Sequence, residues 1–131
     1  PADVYIPLWS LGRPAALDFA VSSGLRVGFL DQSARKGSSS GEAYAALKRG
    51  HLDTAALCAA DDITFIPMVC EAHGGSWGAE AQRVWQAVAK TSALLTGESA
   101  ALKLGQLTQS LSVTLHRANA RAVLAHAASL G

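Results

Sequence analysis

The sequence predicts a small α/β fold in which a mixed β-sheet, made of an N-terminal hairpin and an interior strand, is flanked by helices. Two strand-like runs, 2–9 and 16–21, are separated by a turn-forming Leu-Gly-Arg-Pro. The nearly continuous apolar run 63–70 is typical of a strand that is covered on both faces. Most of the remaining chain shows apolar residues at helical spacing.

The two N-terminal runs predict an antiparallel hairpin. In the first run, apolar residues alternate with the others, and Pro7 indicates an edge strand because proline cannot donate to a β-ladder. A short connection between two alternating runs is typical of a hairpin. With a simple five-residue turn, Asp18 pairs with Ile6, and Asp3 then lies roughly 10 Å farther along the strand. Sheet twist or a bulge would have to bring the two aspartates closer.

Loop-forming, helix-capping and helix-breaking residues predict the boundaries of the other elements. Residues 22–41 are rich in Ser and Gly and are predicted to form a loop. Ser39-x-x-Glu42 resembles a capping box, which would start a helix that runs to about Ala60 and is interrupted at Gly50. After the strand at 63–70, helices are predicted at 77–95 and at about 100–128, with a break at Thr96-Gly97.

The bulk composition limits the function classes. The 131 residues suit one domain, and a net charge of +1 is not typical of a strongly basic nucleic-acid binder, although a local basic patch is compatible with it. No apolar run reaches the length of a membrane span, so no membrane partner is expected. The chain begins at Pro1 and almost at once enters a strand, so we expect a piece of a longer protein.

The two cysteines, Cys58 and Cys70, form no CxxC motif. We interpret both as buried free thiols, which predicts an intracellular, reducing compartment. A disulfide between them is the alternative.

Asp3 and Asp18 are the most informative residues, because an acid among β-branched and aromatic neighbours is costly to bury unless it is paired. Two acids on adjacent strands could share Mg²⁺, which prefers carboxylate oxygens and supports phosphodiester hydrolysis. The alternative is structural: Asp3 lies at a frayed strand start, and Asp18 forms a local cap or ion pair.

Several short segments carry a resemblance to a known family. These segments are Ala2-Asp3-Val4, the run from Arg13 to Val21, the run from Phe65 to Glu71, Gly74-Gly75, and the run from Leu111 to Ala120. With them, nearly the whole chain resembles the restriction-like endonuclease domain that follows the reverse transcriptase of some non-LTR retrotransposons. That domain is a branch of the PD-(D/E)xK nuclease superfamily. The sequence is also similar to degenerate, retroelement-derived copies of the domain.

The resemblance implies roles for individual residues. Asp3 matches the aspartate of the superfamily's "PD", here spread as Pro1-Ala2-Asp3, and Asp18 matches the acid of "(D/E)xK". Position 20 is alanine instead of the lysine. In this branch the lysine commonly moves to the next helix, which implies Lys48, with Arg49 as second choice. Such a lysine would orient the attacking water and offset phosphate charge; an ordinary solvated helix lysine is the alternative.

Further residues complete the expected site. Glu71 could be a third metal ligand, or it could equally cap the next helix. The expected contacts to DNA phosphates are Arg13, Arg26, Arg35 and Lys36 near the hairpin and loop, and Arg117 and Arg121 on the last helix. Solvated surface is the alternative for each of them. Phosphate contacts would give affinity without reading sequence.

The resemblance therefore implies a Mg²⁺-dependent endodeoxyribonuclease, with Mn²⁺ as an alternative metal. Its partners would be DNA and a reverse transcriptase in the same polypeptide, and its location would be nuclear. The alternative function is a catalytically inactive nuclease-like fold that serves as a nucleic-acid- or protein-binding structural module in a larger assembly. The missing lysine at position 20, the low net charge and the abrupt start of the sequence favour that alternative.

Overall fold

The computed structural model of the chain describes residues 2–23, 39–73 and 75–131. Its strands are β1 (Val4–Ser10), β2 (Arg13–Ser22) and β3 (Thr64–Glu71), and its helices are α1 (Ser39–Gly50), α2 (Thr54–Ala60), α3 (Ala79–Thr96) and α4 (Ala100–Leu130). A short 3-10 turn, His51–Asp53, separates α1 from α2. The predicted class is confirmed: a small three-stranded mixed sheet flanked by helices. The loop predicted at 22–41 is too long at both ends, because Ser22 belongs to β2 and α1 begins at Ser39. Residues 24–38 of that loop, with Arg26, Arg35 and Lys36, lie outside the described residues, as does Gly74.

The helix interruptions fall where the sequence predicts them. The first helical segment is interrupted after Gly50, and α3 ends at Thr96. Gly97 follows with φ +76 and donates its amide to the Ala93 carbonyl, a backbone conformation that glycine adopts without a Cβ penalty. Ser99 caps α4 by accepting a hydrogen bond from the Leu102 amide. The side chains of 39–44, including the proposed capping box, are not among those described.

The hairpin turn is tighter than the sequence predicts. Leu11 and Gly12 form a two-residue reversal with φ values of 53 and 75, and Ser10 pairs with Arg13. Positive φ at both central residues is typical of the turns that match strand twist in hairpins. The chain therefore reverses before Pro14 is reached, and the five-residue turn is wrong.

The pairing of β1 with β2 contains an irregularity. Val4 pairs with Leu17 and Ile6 with Ala15, but the register shifts between Ile6 and Ser10. In that interval β1 contains Pro7, Leu8 and Trp9, whereas β2 contains only Pro14, so two extra residues bulge from β1. Proline lacks the amide hydrogen that a regular ladder needs, which favours a bulge at this place. The predicted pairing of Asp18 with Ile6 is therefore wrong.

The sheet order is β1-β2-β3, and β3 runs parallel to β2. The parallel register runs from Ala15 opposite Thr64 to Ser22 opposite Glu71. We expected the apolar run of β3 to be an interior strand, but β2 is the central one of the three described strands. The last six residues of β3 are nevertheless buried in succession, so both faces are covered. Pro67 is tolerated because β3 lies at an edge of this sheet.

The described chain divides into two compact units, Pro1–Gln82 and Arg83–Gly131. In the first unit, α1 and α2 pack against β3, and the core includes Ala15, Met68 and Val69, each at most 1% exposed. In the second unit, α4 has no fully buried residue. Apolar residues at helical spacing along α4 are half-buried at Leu104, Leu107, Leu111 and Leu115 and exposed at Ala118 and Ala122. No helix in the described ranges has the combination of length and apolar character that crossing a membrane requires.

The turn geometry gives a stability prediction. Leu11 adopts a left-handed conformation while its side chain is 99% exposed, so it carries backbone strain without a packing benefit. Leu11→Asn would create the Asn-Gly pair preferred in such turns and should raise the free energy of unfolding by about 1 kcal/mol. Urea unfolding followed by tryptophan fluorescence measures this change.

Gly12→Ala is the matched control for the turn. A Cβ at Gly12 would meet nothing within 4 Å, so only its φ of +75 opposes the substitution. We expect a loss of about 1 kcal/mol. A destabilising Leu11→Asn or a neutral Gly12→Ala would contradict the two-residue turn.

Candidate functional site

The candidate site centres on an ion pair between the central strand and the first helix. The Lys48 ammonium lies 3.0 Å from Asp18 Oδ2, and their side chains are 24% and 17% exposed. Asp18 is on β2, and Lys48 is in the last turn of α1. The packing of α1 on β3, which is hydrogen-bonded to β2, brings the lysine to this position. The structure thus places Lys48 beside the acid with which the resemblance associates it.

Asp3 is tied to the backbone on both sides of Asp18. Its amide donates to the Leu17 carbonyl at 2.9 Å, and its Oδ2 accepts from the Phe19 amide at 2.8 Å. These are the two peptide groups that flank Asp18. The observed register, in which Val4 pairs with Leu17, therefore brings Asp3 beside Asp18 instead of three residues away.

The two carboxylates have the chemistry of a hard-cation site. Asp3 and Asp18 each make these contacts through Oδ2, and a carboxylate has a second oxygen that can bind a cation. Mg²⁺ commonly takes one or two carboxylates and completes its shell with water and phosphate oxygens. Within residues 2–23, 39–73 and 75–131, no three or more His, Cys, Asp or Glu side chains gather into a metal-binding group. Two carboxylates match the sparse protein ligation that Mg²⁺ or Mn²⁺ takes.

Glu71 is not brought to the two aspartates. It pairs in register with Ser22, four positions beyond Asp18 opposite Pro67, which corresponds to roughly 13 Å along the strands. Its Oε2 accepts from the His73 amide at 3.0 Å, and its amide donates to the Ser76 carbonyl. Glu71 thus organises the turn after β3, and its expected place as a third ligand at the aspartates is not observed.

The basic residues proposed to contact DNA belong to both units of the chain. Arg13 pairs with Asp62 at 3.0 Å, and both side chains are more than half exposed. Arg117 and Arg121 are exposed one turn apart on α4, which belongs to the second unit. The described residues thus provide one phosphate-binding candidate near the hairpin turn of the first unit and two on the last helix of the second unit.

One ion pair was not predicted from the sequence. Arg49, the second choice for the position of the superfamily's lysine, pairs with Glu80 at the start of α3. A cleft of about 160 Å³ adjoins this pair, and its lining includes Pro67 and Val69 of β3. The two partners are 31 residues apart, so no local pattern in the sequence indicates the contact.

Both cysteines are free thiols in the structure. Cys70 is buried as predicted, but the predicted burial of Cys58 is wrong, because that side chain is only half-buried. Burial, with a further contribution from the neighbouring Glu71 charge, raises the pKa of the Cys70 thiol from 9.0 to about 11.

Comparison with protein-family models, curated proteins and solved structures finds no match for this chain. The family assignment therefore has no support beyond the resemblance described above, and the function has to be argued from the geometry of the site.

The Asp18–Lys48 pair gives a prediction for a double-mutant cycle. Because both side chains are largely shielded, we expect Asp18→Asn and Lys48→Met to show a coupling energy of about 1 kcal/mol in urea unfolding. The control pair is Arg13→Gln with Asp62→Asn, whose partners are 59% and 68% exposed and should couple by less than about 0.5 kcal/mol. Equal coupling in the two cycles would contradict the buried character of the first pair.

The cysteines give a reactivity and pH prediction. Iodoacetamide at pH 8 should modify Cys58 and leave Cys70 unmodified until the protein unfolds, because burial and the raised pKa suppress the Cys70 thiolate. Since the folded state holds this proton more tightly, the contribution of Cys70 to stability is complete below pH 9.0 and is lost as the pH rises toward about 11.

Peptide mass spectrometry identifies the modified residue, and Cys58→Ser should remove nearly all labelling of the folded protein. Rapid labelling of Cys70 in folded protein would show that its environment is more open than described.

Proposed function

We propose that this domain is a metal-dependent endodeoxyribonuclease that nicks DNA, with Asp3, Asp18 and Lys48 as its catalytic residues. The observation that carries the proposal is the contact between Lys48 and Asp18 at 3.0 Å, next to an aspartate bonded to both peptide groups around Asp18. Two acids and one lysine at a single place are the groups that phosphodiester hydrolysis uses.

Each residue has a separate task in this proposal. Mg²⁺, when bound, supplies an activated water and neutralises charge on the scissile phosphate. Asp3 and Asp18 would hold the cation through carboxylate oxygens. Lys48, which contacts Asp18 at 3.0 Å, can donate a hydrogen bond to the attacking water or to a phosphate oxygen. The low exposure of Asp18 and Lys48 strengthens these interactions because little water screens them.

DNA would be held mainly through its phosphates. Arg13 is the described candidate near the hairpin, and its exposed ion pair with Asp62 is of the weak kind that can exchange for a phosphate. In the retroelement context that the resemblance implies, the nick would prime the adjoining reverse transcriptase. That context, the nuclear location and the parent polypeptide are parts of the proposal that rest on the resemblance alone.

A second candidate function is an inactive nuclease-like module that binds DNA or a protein. The contacts of the two aspartates within the protein favour this function. Lys48 binds Asp18 Oδ2, and the Phe19 amide donates a hydrogen bond to Asp3 Oδ2. In this case the three residues would stabilise the hairpin and α1 and would perform no chemistry.

Plasmid nicking separates the two functions. The protein should convert supercoiled DNA to the open circle in the presence of Mg²⁺ or Mn²⁺ but not with EDTA. Asp18→Asn should abolish nicking, and Lys48→Met should lower its rate by about 10²–10⁴-fold, the range of a lost acid–base group.

Matched controls use exposed residues of the same type. Asp61→Asn and Lys90→Met should nick at the native rate, because these exposed residues lie outside the proposed site. Absence of nicking by folded native protein with either metal would eliminate the enzyme and leave the binding module.

A further inference from the structure

A cleft adjoins the proposed site on the first unit. It has a volume of about 160 Å³ and is lined by α1, β3 and the first turn of α3, including Arg49, Pro67 and Glu80. Pro67 is the register partner of Asp18, and partners in a parallel pair share a face of the sheet. Arg49 directly follows Lys48 in α1. The cleft and the Asp18–Lys48 pair are therefore neighbours.

The ion pair between Arg49 and Glu80 lies at this cleft. The two side chains are 38% and 42% exposed, so the pair is accessible to a ligand in solution. Glu80 contacts Arg49 through Oε1, while its Oε2 is shielded from solvent and has no hydrogen-bond partner among the described residues. A carboxylate in this condition is incompletely satisfied, because a shielded acceptor without a donor loses its hydration without compensation.

A DNA phosphate would be a better partner for Arg49 than Glu80 is. A phosphate offers two oxygens to the planar guanidinium in parallel, which is the arrangement that arginine binds best. When Arg49 is released, Glu80 can turn both oxygens toward water. The exchange thus replaces an incompletely satisfied carboxylate contact with a complete phosphate contact.

We propose that Arg49 anchors a backbone phosphate of the DNA strand next to Asp18 and Lys48, and that Glu80 is an internal competitor that occupies Arg49 in the free protein. This inference rests on the proposed function, since it assigns the position of the DNA at that site. It makes Arg49 a substrate-binding residue instead of the counterpart of the superfamily's lysine, and it makes the Arg49–Glu80 pair an autoinhibitory contact.

The test measures DNA binding without cleavage. Fluorescence anisotropy of a labelled duplex of arbitrary sequence is recorded in EDTA with the full chain. Glu80→Gln should tighten binding about two- to fivefold, the value of releasing an exposed ion pair. Arg49→Met should weaken binding and lower the slope of log K against log salt by about one, as expected for one lost phosphate contact. Arg49→Lys should fall between the two, because lysine keeps the charge without the planar fork.

Glu98→Gln is the matched control for the removed charge. Glu98 also pairs with a basic residue, Lys103, and a hydrogen bond from Lys103 lowers the pKa of Glu98. Glu98→Gln therefore removes one negative charge, as Glu80→Gln does. It lies in the second unit. Its effect on affinity reports the general gain from added positive charge. In the Arg49→Met background, Glu80→Gln should have no effect beyond this control.

Each outcome decides the inference. Equal effects of Glu80→Gln and Glu98→Gln, or unchanged binding by folded Arg49→Met, would overturn it, as would the absence of DNA binding by the native chain. Failure of the nuclease function is distinguishable: the affinity shifts would persist in EDTA while nicking is absent in Mg²⁺. Circular dichroism of each variant excludes unfolding as the cause of weaker binding.

Discussion

The irregular pairing of β1 with β2 is the constraint on which the candidate site depends. The chain reverses at Leu11-Gly12, and β1 contains a bulge of two extra residues between Ile6 and Ser10. A regular ladder after a five-residue turn would leave Asp3 three residues from Asp18. The bulge instead brings the Asp3 amide and carboxylate onto the two peptide groups that flank Asp18. Bulges often re-aim side chains next to active sites, and this one determines whether two acids can act together.

The parallel pairing of β2 and β3 supplies the platform for the basic residues. Met68 and Val69 are at most 1% exposed, and burying side chains of this size contributes about 1.5–3 kcal/mol each. Because α1 packs on β3, its last turn lies over the same part of the sheet as Asp18. Lys48 and Arg49 are consecutive there, yet they pair with different acids, Asp18 and Glu80. One helix end thus presents two cations in different directions, one toward the aspartates and one toward the cleft.

Local residue patterns predicted where the helices and strands lie. The strand register, the order of strands in the sheet and the ion pairs between distant segments could not be predicted from those patterns. The breaks at Gly50 and Gly97 follow from residues that disfavour helix at those positions, and the structure has them there. The predicted hairpin register was wrong because the observed turn requires a positive φ at Leu11, a conformation that leucine disfavours. We predicted an interior position for β3 because its sequence is almost entirely apolar. Helices cover this strand, however, so its burial does not require a paired strand on each side. Lys48 came from the family resemblance, and the Arg49–Glu80 contact was missed because ion pairs between distant segments leave no periodic signal.

The most direct test of a shared metal site is cation binding at Asp3 and Asp18, measured by the loss of the free Mn²⁺ signal in electron paramagnetic resonance. We expect one Mn²⁺ site in the native chain, weakened by both Asp3→Asn and Asp18→Asn, unchanged in Asp61→Asn, and displaced by excess Mg²⁺. Absence of Mn²⁺ binding, or binding that is the same in all four proteins, would contradict a two-carboxylate metal site and leave the aspartates with a structural role.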